Sequence, residues 1–376
     1  MRDYKKAVIG LIICVLIFLP RFSVFGEEPS YDEFYRFSEI ERIEDSVSDD
    51  AKSFFEEENI DIKDYNWINN LKTENIILHI IEFLKSGAKG PIKSGFLIFA
   101  VILMAAAIRF YQNGKSVDIA VKFAMTLAVL GILFSGVWGS ITAAVNAVKS
   151  CSSFMLSFVP VYMGILSVSG APATAAVSGG MILFSAEVTA AAAAFGQSAV
   201  IGAYLALCVG SSVSPILNNS GLAETFKKTG IWFLTLLSTV FLGLLGAKSA
   251  VNSAADSMSV RTAKYILGTC VPVAGNALSG AVNSVSASLA VLKSSMGIYG
   301  IIAVAVMLLP ILSELLIWRL VLLLSSGICE IFSVSETAGL LKAIDGVFAL
   351  LVGAVLIVGI TFIISLSVVV STGKGL

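Results

Sequence analysis

The sequence predicts an all-α, polytopic helical membrane protein of about eight or nine spans, with a small helical domain ahead of the first span. Three observations carry this. Hydrophobic residues make up 57% of the 376 residues and charged residues only 14%, against roughly a quarter charged in an average soluble domain. From Gly95 onward, apolar runs of spanning length alternate with short polar breaks. Charge is also unevenly divided. Residues 1–26 carry a net +3, residues 27–93 carry −9 (8 basic, 17 acidic), and residues 94–376 carry +5 (13 basic, 8 acidic). An acidic polar block therefore precedes a mildly basic membrane block.

The first element reads as a signal peptide over residues 1–26. Arg2, Lys5 and Lys6 form a positive n-region, and Ala7–Leu19 is an apolar run too short to span. Val24 and Gly26 stand at the −3 and −1 places of a cleavage site after Gly26. An uncleaved first helix is the competing reading.

Residues 27–93 read as an acidic helical domain. Phe34, Phe37, Ile40 and Ile43 recur near helical spacing, and Ile77, Ile80, Ile81 and Leu84 form a second stripe that ends at Ser86-Gly87 and Gly90-Pro91. Its acidity suits the extracytoplasmic side, because Lys and Arg are what cytoplasmic loops accumulate.

Residues 94–376 form the membrane domain. The spans run roughly over 95–111, 123–145, 151–170, 178–195, 197–217, 229–247, 267–290, 297–318 and 347–370. This order places Arg109 with Lys115, Lys227 with Lys228, Lys293 and Lys374 in the cytoplasm, as the positive-inside rule wants. Arg261 and Lys264 disagree, so the stretch 248–290 need not cross as drawn and the side of the C-terminus stays open. A weak internal echo pairs Val159-Pro160-Val161 with Val271-Pro272-Val273, and Ser214-Pro215-Ile216-Leu217 with Leu309-Pro310-Ile311-Leu312. Repeat-built membrane proteins interrupt their helices in corresponding places of two halves. Pro160, Pro215, Pro272 and Pro310 are thus candidate helix breaks, with re-entrant segments at the two VPV sites; prolines that only kink ordinary helices are the alternative.

Two features carry candidate chemistry. In CVPVAGNALSGAVNSVSASLAVLK (270–293), Asn276, Ser279, Asn283, Ser286 and Lys293 fall on one helical face, and Leu278, Val282, Val285, Leu289 and Leu292 on another. The polar stripe suits a tight helix interface, the lining of a polar path, or a helix lying flat on the membrane. Glu187 and Glu314 are candidate intramembrane carboxylates. Each costs about 2.5–3.5 kcal/mol at the bilayer centre on insertion scales, so retention implies a partner, a cavity or a protonated state. For Glu314, snorkelling with Arg319 near an interface is a further reading.

Enzyme chemistry finds little purchase. The chain has one histidine, His79, and five scattered cysteines with no C-x-x-C pair, so no Cys/His zinc site or Ser-His-Asp triad can be assembled within the membrane domain. Gly246-Ala247-Lys248-Ser249 and Gly373-Lys374 both fail as phosphate-binding loops. No catalytic residue, cofactor, metal or nucleic-acid partner is expected.

FVPVYMGILSVSG (158–170), CVPVAGNALSGAVNSV (270–285) and LLPILSELL (308–316), behind a signal peptide and an acidic segment, resemble the stage III sporulation protein AE family of endospore-forming bacteria. The resemblance implies a multi-pass protein of the mother-cell membrane around the forespore. It implies partners among the other membrane proteins of the stage III sporulation A locus and, through the complex, stage II sporulation protein Q. The implied role is a subunit of a transenvelope channel that supports late forespore transcription under sigma factor G. It brings no catalytic residues. A stand-alone secondary transporter with pseudo-repeated halves is the alternative function, and oligomerisation is open.

Overall fold

The computed structural model describes residues 40–62, 67, 73–111, 115–169, 171–191 and 198–213, part of 221–243, and 275–372; for 275–290 the helical backbone alone is described. Every named element among them is a helix: α1 (Ile40–Ser46), α2 (Asp49–Glu57), α3 (Thr73–Tyr111), α4 (Lys115–Val168), α5 (Pro172–Ala191), α6 (Ser198–Val213), α7 (Gly275–Ile331) and α8 (Ser335–Thr372). The signal segment, Pro215 and Pro272 lie outside the described residues.

The short helices have local causes. Asp49 and Asp50 put negative charge on the first turn of α2, where the helix dipole favours it. At its other end Asn59 takes a left-handed φ of 51°. The Ile60 N–H then donates to the Phe55 carbonyl at 2.8 Å and the Asn59 N–H to the Glu56 carbonyl at 3.2 Å. This paired closure satisfies two carbonyls that the helix end leaves open. Ala51, Phe54 and Phe55 are the buried face of α2, and the Phe55 ring meets Tyr299 of α7 with centroids 4.7 Å apart. The described part of the acidic block is therefore docked on the long helices.

Among the described residues, four helices are long and apolar enough to cross a membrane: Ile77–Tyr111, Val117–Val168, Val291–Ile331 and Ser335–Val370. The expected eight or nine spans are not reached there. Residues 123–145 and 151–170, expected as two spans, belong almost entirely to the single helix α4, and 275–290 and 297–318 both belong to α7. Helix α3 likewise runs through the stop expected at Gly90-Pro91. Pro160 and Pro310 do not break their helices either. A proline removes one i→i−4 bond, and the packed helix continues on either side of it.

Helix α7 is the axis of the bundle. A connection of three residues, Phe332 to Val334, turns the chain into antiparallel α8. Ser333 sits there at φ 56°, and the Val334 N–H reaches the Cys329 carbonyl at 2.9 Å. Helix α4 also runs antiparallel to α7: Tyr162 packs by Gly297, Phe158 by Gly300 and Gly136 by Trp318. Helix α3 runs parallel to it, with Gly87 beside Glu314, Gly95 beside Val321 and Arg109 at Phe332. Helix α5 returns along α4, where the Ser152 hydroxyl donates to the Ala186 carbonyl at 2.9 Å. Phe154, Phe158 and Tyr162 stack successively at 5.2 and 5.5 Å inside.

Toward the C-terminal end of α7, Phe96, Leu97, Leu103 and Met104 of α3, Phe123, Leu127, Phe134 and Trp138 of α4, and Leu320, Leu323 and Leu324 of α7 all face outward. The helices carry no charge over 94–108, 123–148 and 320–329. A belt of large apolar side chains on this scale is what a lipid-facing surface requires.

Candidate functional site

A polar layer crosses the interior where α3, α4, α7 and α8 meet. Its centre is Arg319, buried on α7. The guanidinium donates from Nε to Asp345 Oδ1 at 2.8 Å and from Nη2 to Asp345 Oδ2 at 3.1 Å. The two side chains are 8% and 14% exposed. Both bonds are charge-assisted and in the fork geometry that arginine offers a carboxylate. They tie α7 to α8 at one register.

Glu314 lies five residues before Arg319 on the same helix and is half-buried. Its Oε1 accepts the hydroxyl proton of buried Ser140, from α4, at 2.8 Å. The adjacent Ser313 hydroxyl lies 2.7 Å from the Pro310 carbonyl and 3.2 Å from the Phe83 carbonyl of α3. Close approach of α3 here depends on Gly87: a methyl group there would lie 3.1 Å from the Glu314 backbone nitrogen. Below, Trp318 stacks on Phe348 at 5.4 Å. Its ring edge occupies the space that a side chain on Gly136 would need, 2.5 Å from Cζ2. Polar groups and close-packed rings thus alternate across the layer.

A second polar layer closes the C-terminal end of α7. Arg109 of α3 bonds Asp118 of α4 and donates from Nη1 to the Phe332 carbonyl at 2.8 Å, and Lys122 pairs with the same Asp118 at 3.0 Å. The Thr126 and Thr337 hydroxyls meet at 2.8 Å, and Lys342 pairs with Glu330. The lower ends of α3, α4, α7 and α8 are therefore joined by polar contacts as well.

The residues singled out from the sequence fare differently. Glu314 lies in the central layer. Arg319, read as its snorkelling companion, is instead buried and forked onto Asp345. Glu187 is exposed near the end of α5, away from that layer. Lys293, the last residue of the polar stripe, is buried near the start of the part of α7 whose side chains are described. Asn276, Ser279, Asn283 and Ser286 belong to the helical backbone of α7, and their side chains lie outside the described residues. Asp345 and Ser140 escaped sequence reading. The signal for Asp345 was present: it is the last acidic residue in the chain and stands immediately before an uninterrupted apolar run.

A charged layer held inside helices of membrane-crossing length, beneath a belt of exposed apolar side chains, defines a helical membrane protein with internally paired polar groups. The family model described as stage III sporulation protein AE matches residues 67–373. The chain belongs to the stage III sporulation protein AE family, and is a sporulation membrane protein. It is 26% identical over 282 residues to stage III sporulation protein AE of Bacillus subtilis (strain 168), an alignment that covers 74% of this chain and 69% of that protein. No solved structure matches it.

Proposed function

We propose that this chain is a non-enzymatic membrane subunit of a transenvelope channel or secretion complex joining mother cell and forespore, placed in the mother-cell membrane and needed for late forespore development. The observation that carries the reading is the family match, which runs through the membrane helices and the polar layer rather than covering one end of the chain. The partners are the other membrane proteins of the stage III sporulation A locus and, through them, stage II sporulation protein Q.

Helix length supports an assembly role. Helices α4 and α7 have 54 and 57 residues, about 80 and 85 Å at 1.5 Å per residue, against a hydrocarbon core of about 30 Å. Such helices offer surface beyond the bilayer for other subunits. Within the bundle, the Arg319–Asp345 fork serves to hold two helices in register, a use of buried ion pairs that favours specificity over stability. The buried end of the polar stripe at Lys293 favours a stripe directed toward protein or an aqueous path, not toward lipid.

Deletion and complementation test the reading. Sporulating cells lacking the chain should complete engulfment and then lose expression of a late forespore reporter, and the full-length chain should restore it. Normal reporter expression without the chain would refute the role. A stand-alone transporter would instead move a solute when the purified chain alone is placed in liposomes.

A further inference from the structure

We infer that Glu57, His79 and Glu82 form a binding site for a first-row divalent cation, Zn²⁺ by preference, between α2 and α3. One nitrogen and two carboxylate oxygens, one from each residue, lie within 4.8 Å of one another. His79 is the chain's sole histidine. Glu82 follows it by three residues on α3, which sets both on one helix face. Glu57 reaches in from the last turn of α2.

The arrangement behind the imidazole separates this cluster from a chance gathering of acidic groups. Glu58, whose side chain is only 6% exposed, accepts Nδ2 of Asn75 at 3.0 Å and meets His79 Nε2 at 3.0 Å. With Nε2 turned to that carboxylate, Nδ1 is the ring nitrogen left to face a cation on the Glu57 side. A ligating histidine that gives its other N–H to a carboxylate is the usual support for a metal site, because it fixes the tautomer and the ring direction. The edge of Phe54, with centroids 4.9 Å apart, holds the ring from the side.

Spacing points the same way. Nδ1 stands 3.5 Å from Glu57 Oε2, long for a hydrogen bond. Ligands about 2.0–2.1 Å from a tetrahedral zinc are separated by about 3.3 Å. Glu57 and Glu82 are both exposed, so side-chain rotation is free to close the remaining gap, and water completes the fourth position. The cation would clamp α2, and with it the described acidic segment, onto the outer end of α3. Lys85, Lys89 and Lys93 separate this point from the charge-free stretch of α3. The inference is independent of the transenvelope role.

The test uses the full-length chain in detergent, stripped with a chelator, with zinc alone titrated against a chromophoric competitor. One equivalent should bind. Glu82→Gln and Glu58→Gln should each weaken binding by about ten- to a hundredfold, and His79→Gln by more than either. The stripped chain loaded with Co²⁺ should show the visible absorption of a tetrahedral nitrogen and oxygen site, absent in Glu82→Gln, which alters only an exposed side chain. Less than one equivalent of zinc on the unmodified chain, or binding unchanged in both His79→Gln and Glu82→Gln, would overturn the assignment.

Discussion

Arg319 and Asp345 face each other across the α7–α8 interface with two parallel hydrogen bonds, 2.8 and 3.1 Å long. Each buried charge is tolerable because of the other. Arg319→Met or Asp345→Leu alone should therefore destabilise the detergent-solubilised protein by about 3–5 kcal/mol, while the double replacement recovers most of the loss. Thermal unfolding of the four members of the cycle checks this. Additive losses would mean that the fork is not the coupling seen here.

Ser140 and Glu314 join α4 to α7 by a hydroxyl-to-carboxyl hydrogen bond at 2.8 Å. Ser140→Ala should cost about 1.5–3 kcal/mol when Glu314 is present and about 0.5–1.5 kcal/mol in a Glu314→Gln background, where the bond is neutral. The same cycle, read as spore yield, tells whether the charge matters beyond packing. Equal losses in both backgrounds would remove the charge from the account.

Gly136 and Gly131 give a matched comparison on one helix. Alanine at 136 would place its Cβ 2.5 Å from the Trp318 ring, whereas alanine at 131 meets nothing within 4 Å. Gly136→Ala should destabilise by about 1–3 kcal/mol through overpacking. Gly131→Ala should be neutral or stabilising by up to about 1 kcal/mol, from helix propensity. A harmless Gly136→Ala would contradict the packing of Trp318 between α4 and α8.

The helical membrane class was legible because composition and run length report directly on the solvent a chain must satisfy. Span boundaries among the described residues were less legible, for a physical reason. Lys149 and Ser150 look like a break to any hydropathy window, yet both lie on the exposed side of α4, where one cation in a continuous helix costs little. Pro160 and Pro310 misled in the same way, since a proline forfeits one bond and packing supplies the rest. Glu314 stood out inside LLPILSELLIW. Its link to Ser140 did not, because a contact between residues 174 apart leaves no local pattern. Asp345 was hidden by a boundary: α8 begins at Ser335, twelve residues before the span drawn at 347.

The stripe of Asn276, Ser279, Asn283 and Ser286 is expected to face protein or an aqueous path. Asn283→Leu should lose sporulation while Val285→Leu, on the apolar face, stays mild, since polar contacts between membrane helices contribute about 0.6–2 kcal/mol each. Cysteines at 279, 283 and 286 separate the two settings. A water-lined path makes them reactive to small polar thiol reagents, and a dry interface makes them cross-link to a neighbour. A silent Asn283→Leu with three inert cysteines would mean that the stripe meets lipid.

Co-purification from sporulating cells decides whether the chain works within an assembly. An affinity-tagged chain, cross-linked in place and recovered after engulfment, should bring with it the other membrane proteins of the stage III sporulation A locus and stage II sporulation protein Q. A chain recovered alone under the same cross-linking, while the purified protein by itself moves a solute across liposome membranes, would contradict the account and leave a transporter in its place.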